Sequence, residues 1–222
     1  RPASIELVDE PILEAIDAAN PGAAETLGLT GKKASLWIEW ESVVDDLPST
    51  AGKIFKTMAE RDHVFGLRSK ASQWLHEQAQ RRQPLRCIED AVVPVEHLVD
   101  YVRELRYILL RHDCDGAVFG HAGDGHLHVN PSIDVTQPRL WFRIEALMSD
   151  VCELVLRYGG SISGEHGDGF LRTNLAQRQW EPLADLFTRV KDEFDPEGVL
   201  NPGKKWIRTR AVHPPLKKFR HA

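Results

Sequence analysis

The pattern of apolar and polar positions alternates between stretches typical of β-strands and stretches typical of helices. Five stretches predict strands, namely residues 4–8, 34–41, 86–93, 116–119 and 126–130. Six predict helices, namely residues 11–20, 49–61 with Ser49 as N-cap, 67–82, 98–112, 141–158 and 181–193. This mixture predicts an α+β fold, in which helices pack on an antiparallel sheet.

Composition places the chain among ordinary globular proteins. Of its 222 residues, 42% are hydrophobic and 27% are charged. Its longest apolar runs fall well short of the roughly 18 residues that a membrane-spanning helix needs. The opening Arg1-Pro2 lacks both a Met and an apolar leader, so we expect an N-terminally incomplete part of a longer protein.

The three cysteines, Cys87, Cys114 and Cys152, include no C-x-x-C pair, which favours a reducing compartment and no iron–sulfur cluster within the chain. We expect the cytoplasm, with peripheral attachment to the inner face of the membrane as an alternative.

Charge is distributed unevenly. The net charge of −5 argues against a nucleic-acid partner. Residues 203–222 carry seven basic and no acidic side chains. We therefore expect one domain over residues 1–204, followed by a basic tail or linker over residues 205–222.

Candidate chemistry concentrates in two Gly-Asp-Gly turns that carry histidines. On a strand from His126, alternate side chains share one face, so His126, His128 and Asn130 are predicted to face one site. The glycines of the first turn would let the chain fold back and bring His121 near His128. His121, His128 and Glu165 form a reasonable three-ligand set for zinc, manganese or iron, with His166 as a neighbouring base.

Structural interpretations compete with this one. Gly-Asp-Gly is a common turn, and the spacing of His121 and His128 is not a widely known metal motif. Residue chemistry alone leaves the metal site and a set of structural histidines equally open.

Three ordered motifs resemble the C-terminal half of the FAD-linked D-2-hydroxy acid dehydrogenases. They are residues 119–130 (FGHAGDGHLHVN), 162–169 (ISGEHGDG) and 194–204 (FDPEGVLNPGK). The family includes D-lactate dehydrogenases, the flavin subunit of glycolate oxidase and D-2-hydroxyglutarate dehydrogenase. The sequence around the first motif is most similar to the branch fused to an iron–sulfur domain. The resemblance implies a ferredoxin-like cap domain that binds substrate.

The resemblance also implies roles for individual residues. His121, His128 and Glu165 would hold a divalent metal, often zinc, and His166 would be the base. The residues implied to bind substrate are Arg68, Ser72 and Asn130. His126 departs from the Asn or small residue usual in the family, and the resemblance leaves open whether His126 joins the metal or binds substrate. A lysine that some members use is replaced by Ile88, and Arg86 is the candidate substitute. Asn201 and Lys204 would lie where the chain returns towards the flavin, although a helix-stop turn explains them equally well.

No glycine-rich flavin loop, Rossmann fingerprint or P-loop occurs in the sequence. The resemblance therefore implies an FAD-binding domain that precedes this segment, and this chain alone would not turn over. Implied partners are a 2-hydroxy acid, that FAD domain, an electron acceptor or fused iron–sulfur domain, and a second copy in a homodimer. Two alternatives remain at this point: a self-sufficient zinc-dependent hydrolase, and a non-catalytic interaction module with structural histidines.

Overall fold

A computed structural model describes residues 2–42 and 52–204. The strands in these ranges are β1 (Ser4–Asp9), β2 (Ala34–Glu39), β3 (Arg82–Pro84), β4 (Ala91–Val92), β5 (Asp115–Phe119) and β6 (His126–Asp134). The α-helices are α1 (Glu10–Ala19), α2 (Ala23–Leu27), α3 (Met58–Glu77), α4 (Leu98–Arg111), α5 (Leu140–Arg157), α6 (Thr173–Gln179) and α7 (Ala184–Phe194). None of these described helices is both long and apolar enough to cross a membrane.

Strand β6 is the centre of the larger sheet, since β3, β4 and β5 all pair with it in antiparallel register. Strands β1 and β2 form a second antiparallel pair. An antiparallel bridge between Leu7 and Gly120 connects β1 to the end of β5. The α+β fold with antiparallel sheets and packed helices is confirmed.

Two apolar cores hold the helices against these sheets. The larger core lies between β5, β6, α4 and α5, where Leu105, Leu127 and Leu147 are fully buried. The smaller core joins β1 and α1 to α3 through residues such as Val8 and Leu67. The second core fixes α3 beside β1, and both elements contribute to the site described below.

The predicted interruption between helices 49–61 and 67–82 is wrong. Residues 52–57 are not helical, and one continuous helix runs from Met58 to Glu77. Thr57 begins it with a reciprocal capping box with Glu60. Val64, Leu67 and Ala71 are buried on one face across the predicted gap, so tertiary packing overrides the weak local pattern. The predicted cap Ser49 lies outside the described residues.

Other boundaries differ because the chain turns where the pattern looked extended. The predicted strand 86–93 forms only at Ala91–Val92, since residues 87–90 bend. Strand β6 continues past the predicted end at Asn130, through Pro131 to Asp134. Helices α2 and α6 were not predicted, since each has seven residues or fewer.

Candidate functional site

The turn between β5 and β6 brings three histidines to one place. His126 and His128 lie on one face of β6 and are buried, whereas His121 is partly exposed. Gly125 closes the turn at a φ of 68°, and a Cβ there would lie 2.0 Å from the carbonyl oxygen of Val93. Only glycine fits this combination of left-handed backbone and close approach. The predicted convergence of the histidines is present.

Glu165 points one carboxylate oxygen at this group. Its Oε1 lies 3.5 Å from His121 Nε2 and 3.3 Å from His128 Nε2. The other ring nitrogens are engaged: His121 Nδ1 lies 2.6 Å from Glu6 Oε1, and His128 Nδ1 lies 3.0 Å from the Glu89 carbonyl. Since a carboxylate and a carbonyl can only accept, we assign the protons to Nδ1. The two Nε2 atoms then face Glu165.

These residues fit a divalent cation. Burial lowers the pKa of His128 to about 4, so its Nε2 carries no proton at neutral pH. A lone pair and a carboxylate oxygen repel each other unless a cation lies between them. Ligands at the usual zinc distances of about 2.0–2.1 Å in a tetrahedron stand about 3.3 Å apart, which is the separation observed here.

His126 lies behind these ligands. Its Nε2 is 3.0 Å from Asp90 Oδ1, and the ring is only 6% exposed. His121, His126, His128 and Glu165 each place a possible ligand atom within 4.8 Å of the others. The substrate contact predicted for His126 stays a prediction, and the structure gives this side chain a buried acidic partner that sequence analysis missed.

His166 lies beside His128 and faces the same oxygen of Glu165. Its Nε2 is 3.3 Å from Glu165 Oε1, while its Nδ1 faces Glu89 Oε1 at 3.7 Å and Asp90 Oδ1 at 3.8 Å. The side chain is 45% exposed, so a substrate can reach it. This geometry suits either a base or a further ligand.

Asp90 organises the loop that carries Glu165 and His166, and sequence analysis did not single it out. The carboxylate is completely buried and accepts hydrogen bonds from the backbone N–H groups of Glu165 and His166 and from the hydroxyl of Ser163. Although burial alone would raise it, these bonds keep the pKa of Asp90 below its usual value. We call this arrangement, in which buried Asp90 accepts hydrogen bonds from Ser163, Glu165 and His166, the polar cradle. The pattern of residue types along the sequence does not reveal it.

The predicted substrate-binding residues form a second group beside the histidines. Ser72 Oγ on α3 lies 3.4 Å from both Asn130 Nδ2 and Arg86 NH2. Asn130 is 2% exposed, and its Oδ1 has no hydrogen-bond partner among the described residues. The structure thus brings Arg86, the candidate replacement for the missing lysine, to Ser72, which Asn130 also contacts.

Arg68 lies one helical turn before Ser72 and joins the two groups. Its NH2 lies 2.5 Å from Glu6 Oε2 on β1, and the other oxygen of Glu6 contacts His121. Sequence analysis missed Glu6, since it resembles the polar position of a half-buried strand. The available signal was its place on the same face of β1 as the buried Val8.

Asn201 and Lys204 lie in the last described turn. Asn201 has a φ of 49°, and both residues are exposed. Lys204 Nζ lies 4.7 Å from the centre of the Phe170 ring, a cation–π contact. The cofactor role predicted for Asn201 and Lys204 stays a prediction.

Comparison with known families gives one match over nearly the whole chain. The family described as "FAD linked oxidases, C-terminal domain" matches residues 1–205.

Curated relatives match over parts of their length. D-2-hydroxyglutarate dehydrogenase of Escherichia coli (strain K12) is 35% identical over 152 residues, covering 68% of this chain and 15% of that protein. The enzyme of the same name from Pantoea ananatis (strain AJ13355) is 37% identical over 143 residues, covering 64% of this chain and 14% of that protein. Glycolate oxidase subunit GlcD of Bacillus subtilis (strain 168) is 29% identical, covering 93% of this chain and 46% of that protein. The chain therefore spans less than half of these relatives.

Among solved structures, 4-ethylphenol oxidase from Gulosibacter chungangensis superposes with a TM-score of 0.57 at 12% identity. The match covers 90% of this chain and 47% of that one. At this identity the likeness supports the fold alone.

Proposed function

Because the chain belongs to the family of FAD-linked oxidases, as their C-terminal domain, we propose that it is the substrate- and metal-binding part of a flavin-dependent dehydrogenase. The reaction is the oxidation of a D-2-hydroxy acid to a 2-oxo acid. The observation that carries this proposal is the convergence of the Nε2 atoms of His121 and His128 on Glu165 Oε1. The relatives named above are dehydrogenases and oxidases, so they lend no support to a zinc-dependent hydrolase.

His121, His128 and Glu165 would hold the metal, with zinc favoured by the imidazole and carboxylate ligands and manganese or iron as alternatives. When bound, such a cation supplies Lewis acidity that lowers the pKa of a substrate hydroxyl. Glu6 orients the ring of His121, and the Glu89 carbonyl orients the ring of His128, so that both Nε2 atoms face Glu165.

His166 acts as the base in this proposal. Its Nε2 accepts the hydroxyl proton of the substrate, which leaves the ring as an imidazolium with Nδ1 directed at Glu89 and Asp90. Both carboxylates favour that charge. When bound, FAD supplies the acceptor for the hydride that leaves C2, and we place FAD in a domain outside this chain, with Asn201 and Lys204 oriented towards it.

The carboxylate of the substrate would bind between α3 and β6. A guanidinium fork binds a carboxylate through two parallel hydrogen bonds and so fixes which face of C2 is presented. Arg68 provides that fork, Ser72 Oγ donates from the next helical turn, and Asn130 is positioned against Ser72. Arg86, 3.4 Å from Ser72, adds a second positive charge.

The wider assembly follows from the same proposal. Electrons would leave through an external acceptor or an iron–sulfur domain of the same polypeptide, and the basic segment 205–222 would act as the linker. A homodimer is a further proposed arrangement.

The complete gene product tests the proposal. Under anaerobic conditions it is mixed with D-lactate, D-2-hydroxyglutarate, glycolate or D-malate, with and without a chelator, while flavin absorbance is followed. We expect bleaching by one or more of these acids, and loss of bleaching after chelation. The L-enantiomers of the three chiral acids serve as controls, since the carboxylate fork fixes one face of C2.

Variants separate the assigned roles. Arg68→Met is expected to raise KM far more than it lowers kcat, whereas His166→Gln is expected to lower kcat by roughly 10²–10⁴-fold, the usual contribution of a general base. A protein without a flavin spectrum, or bleaching that is insensitive to both variants, would refute the proposal.

A further inference from the structure

Glu6 is a buried carboxylate shared by two residues of different proposed function. Its Oε1 lies 2.6 Å from His121 Nδ1, and its Oε2 lies 2.5 Å from Arg68 NH2. The side chain is 8% exposed, and that of Arg68 is 18% exposed. One acid therefore touches the metal side and the carboxylate-binding side of the site at once.

The two contacts differ in kind. His121 donates a hydrogen bond from Nδ1, which fixes both its tautomer and its ring orientation. The contact with Arg68 is an ion pair without hydrogen-bond geometry, and the Nε and NH2 atoms of Arg68 are buried and lack hydrogen-bond partners among the described residues. Arg68 is thus held beside Glu6 by charge.

Glu6 is largely shielded from water that could compensate for a lost partner. A buried carboxylate without compensation carries a large desolvation cost. Among the described residues, removal of Arg68 leaves His121 as the ion-pair partner of Glu6. Conversely, loss of the carboxylate leaves the Arg68 charge uncompensated and the His121 tautomer free. We therefore expect a change at one side to alter the other through Glu6.

We propose that Glu6 is a positioning residue that couples metal affinity at His121 to the placement of Arg68, so that the metal and the substrate carboxylate bind interdependently. The proposal rests on the function proposed above and adds to it a thermodynamic link between two subsites. Coupling of this kind is reciprocal, since each ligand must change the affinity of the other by the same factor.

The first test measures zinc affinity by competition with a chromophoric chelator, which requires no turnover. We expect Glu6→Gln to weaken zinc binding by roughly 10- to 100-fold, the usual effect of removing the acceptor behind a ligating histidine. Glu6→Asp, which keeps the charge, is expected to recover part of that loss. Glu10→Gln is the matched control, because Glu10 follows directly after β1 and its ion pair with Lys33 is exposed.

The second test is a double-mutant cycle on the same affinity. In the parent chain, Arg68→Met is expected to tighten zinc binding severalfold, because Glu6 then interacts with His121 alone. In the Glu6→Gln background the same substitution is expected to have an effect at least threefold smaller. Equal effects in both backgrounds would overturn the coupling.

The outcomes distinguish this inference from the proposed function. If the parent chain binds no stoichiometric zinc, the metal-dependent function itself fails. If it binds zinc and Glu6→Gln binds equally well, only the role of Glu6 is refuted. Circular dichroism and thermal melting of each variant exclude loss of fold as the cause.

In the complete gene product, Glu6→Gln is expected to raise KM for the hydroxy acid about tenfold, because the guanidinium of Arg68 is then misplaced.

Discussion

The imidazole rings of His128 and His166 are stacked, with centroids 5.0 Å apart and planes inclined by 12°. Each directs its Nε2 to the same oxygen of Glu165 at 3.3 Å. His128 lies on a central strand and is 8% exposed, whereas His166 lies on a loop and is 45% exposed. Two rings that look equivalent from Glu165 therefore differ in rigidity and access, which is the physical basis for assigning one as ligand and the other as base.

Metal content tests that assignment. We expect about one metal ion per chain in the parent, and we expect His121→Ala and His128→Ala to lose it, because each removes a ligand from a small set. His166→Gln is expected to keep the metal, and the exposed His63→Ala is the control. The measurement is elemental analysis after dialysis. Complete loss of metal from His166→Gln would make His166 a ligand and leave the base unassigned.

Asp90→Asn tests the polar cradle. The substitution replaces one acceptor oxygen by an amide donor that faces donors from His126, Ser163, Glu165 and His166. Since hydrogen bonds to a buried charge each contribute about 1.5–3 kcal/mol, we expect a loss of roughly 2–4 kcal/mol in unfolding free energy. Urea denaturation measures it, with Asp100→Asn on the surface of α4 as control. An unchanged midpoint would contradict the cradle.

Gly164 and His126 form a tightly packed pair. A Cβ on Gly164 would lie 2.7 Å from His126 Nε2, so Gly164→Ala must displace the ring from Asp90. Overpacking of this kind typically costs about 1–3 kcal/mol. In a His126→Ala background the space is free, and we expect Gly164→Ala to cost much less there. Additive free energies in the double-mutant cycle would show that the two positions do not compete for space.

Asp9 makes part of the stability depend on pH. Burial raises the pKa of Asp9 to about 6, despite the opposing Val118 N–H and the Arg106 guanidinium. A carboxyl with a raised folded-state pKa contributes stability that is fully present below its unfolded pKa of about 3.8 and is lost as pH rises through about 6.

Comparison with Asp9→Asn isolates this contribution. The difference in unfolding free energy, parent minus variant, is expected to fall between pH 4 and pH 6 by up to roughly 1.4 kcal/mol per pH unit and to level off above. Urea titrations at each pH measure it, and titration of other carboxylates cancels in the difference. A difference that is independent of pH would show that Asp9 has an ordinary pKa.

Gly66 lies in the interior of α3, where a Cβ would meet nothing within 4 Å. We expect Gly66→Ala to stabilise the chain by about 0.5–1 kcal/mol, because glycine loses more backbone entropy than alanine on entering a helix. Thermal melting checks this, and destabilisation would indicate a break in the helix at that point.

Sequence periodicity predicted most of the framework. Helices α1, α4 and α5 and strands β1 and β5 have amphipathic or alternating patterns long enough to outweigh local ambiguity, and their predicted bounds agree within two residues. The prediction for helix α3 failed because residues 59–63 are mostly polar and Gly66 suggests an interruption. Arg61 there pairs with Glu39 on β2 at 2.7 Å, a long-range contact that local patterns do not encode.

Some residues of the candidate site could likewise be predicted from the sequence, and others could not. His121, His128, Glu165 and His166 stand in glycine-rich motifs, so their residue types and spacing could suggest a ligand set. Glu6 and Asp90 could not be found in this way, since their importance arises from partners more than thirty residues distant in the sequence. Their buried charges are recognisable only once the fold places those partners against them.

The unbroken course of α3 has a mechanical consequence. Arg68 and Ser72 lie on a single rigid rod, four residues and therefore about 6 Å of axial rise apart, so their mutual spacing is fixed. The capping box at Thr57 is on the same rod, roughly 16 Å from Arg68 at 1.5 Å per residue. A tilt of α3 at its N-terminal end would move Arg68 and Ser72 together. Their distances to β6 would change, and the distance between them would not.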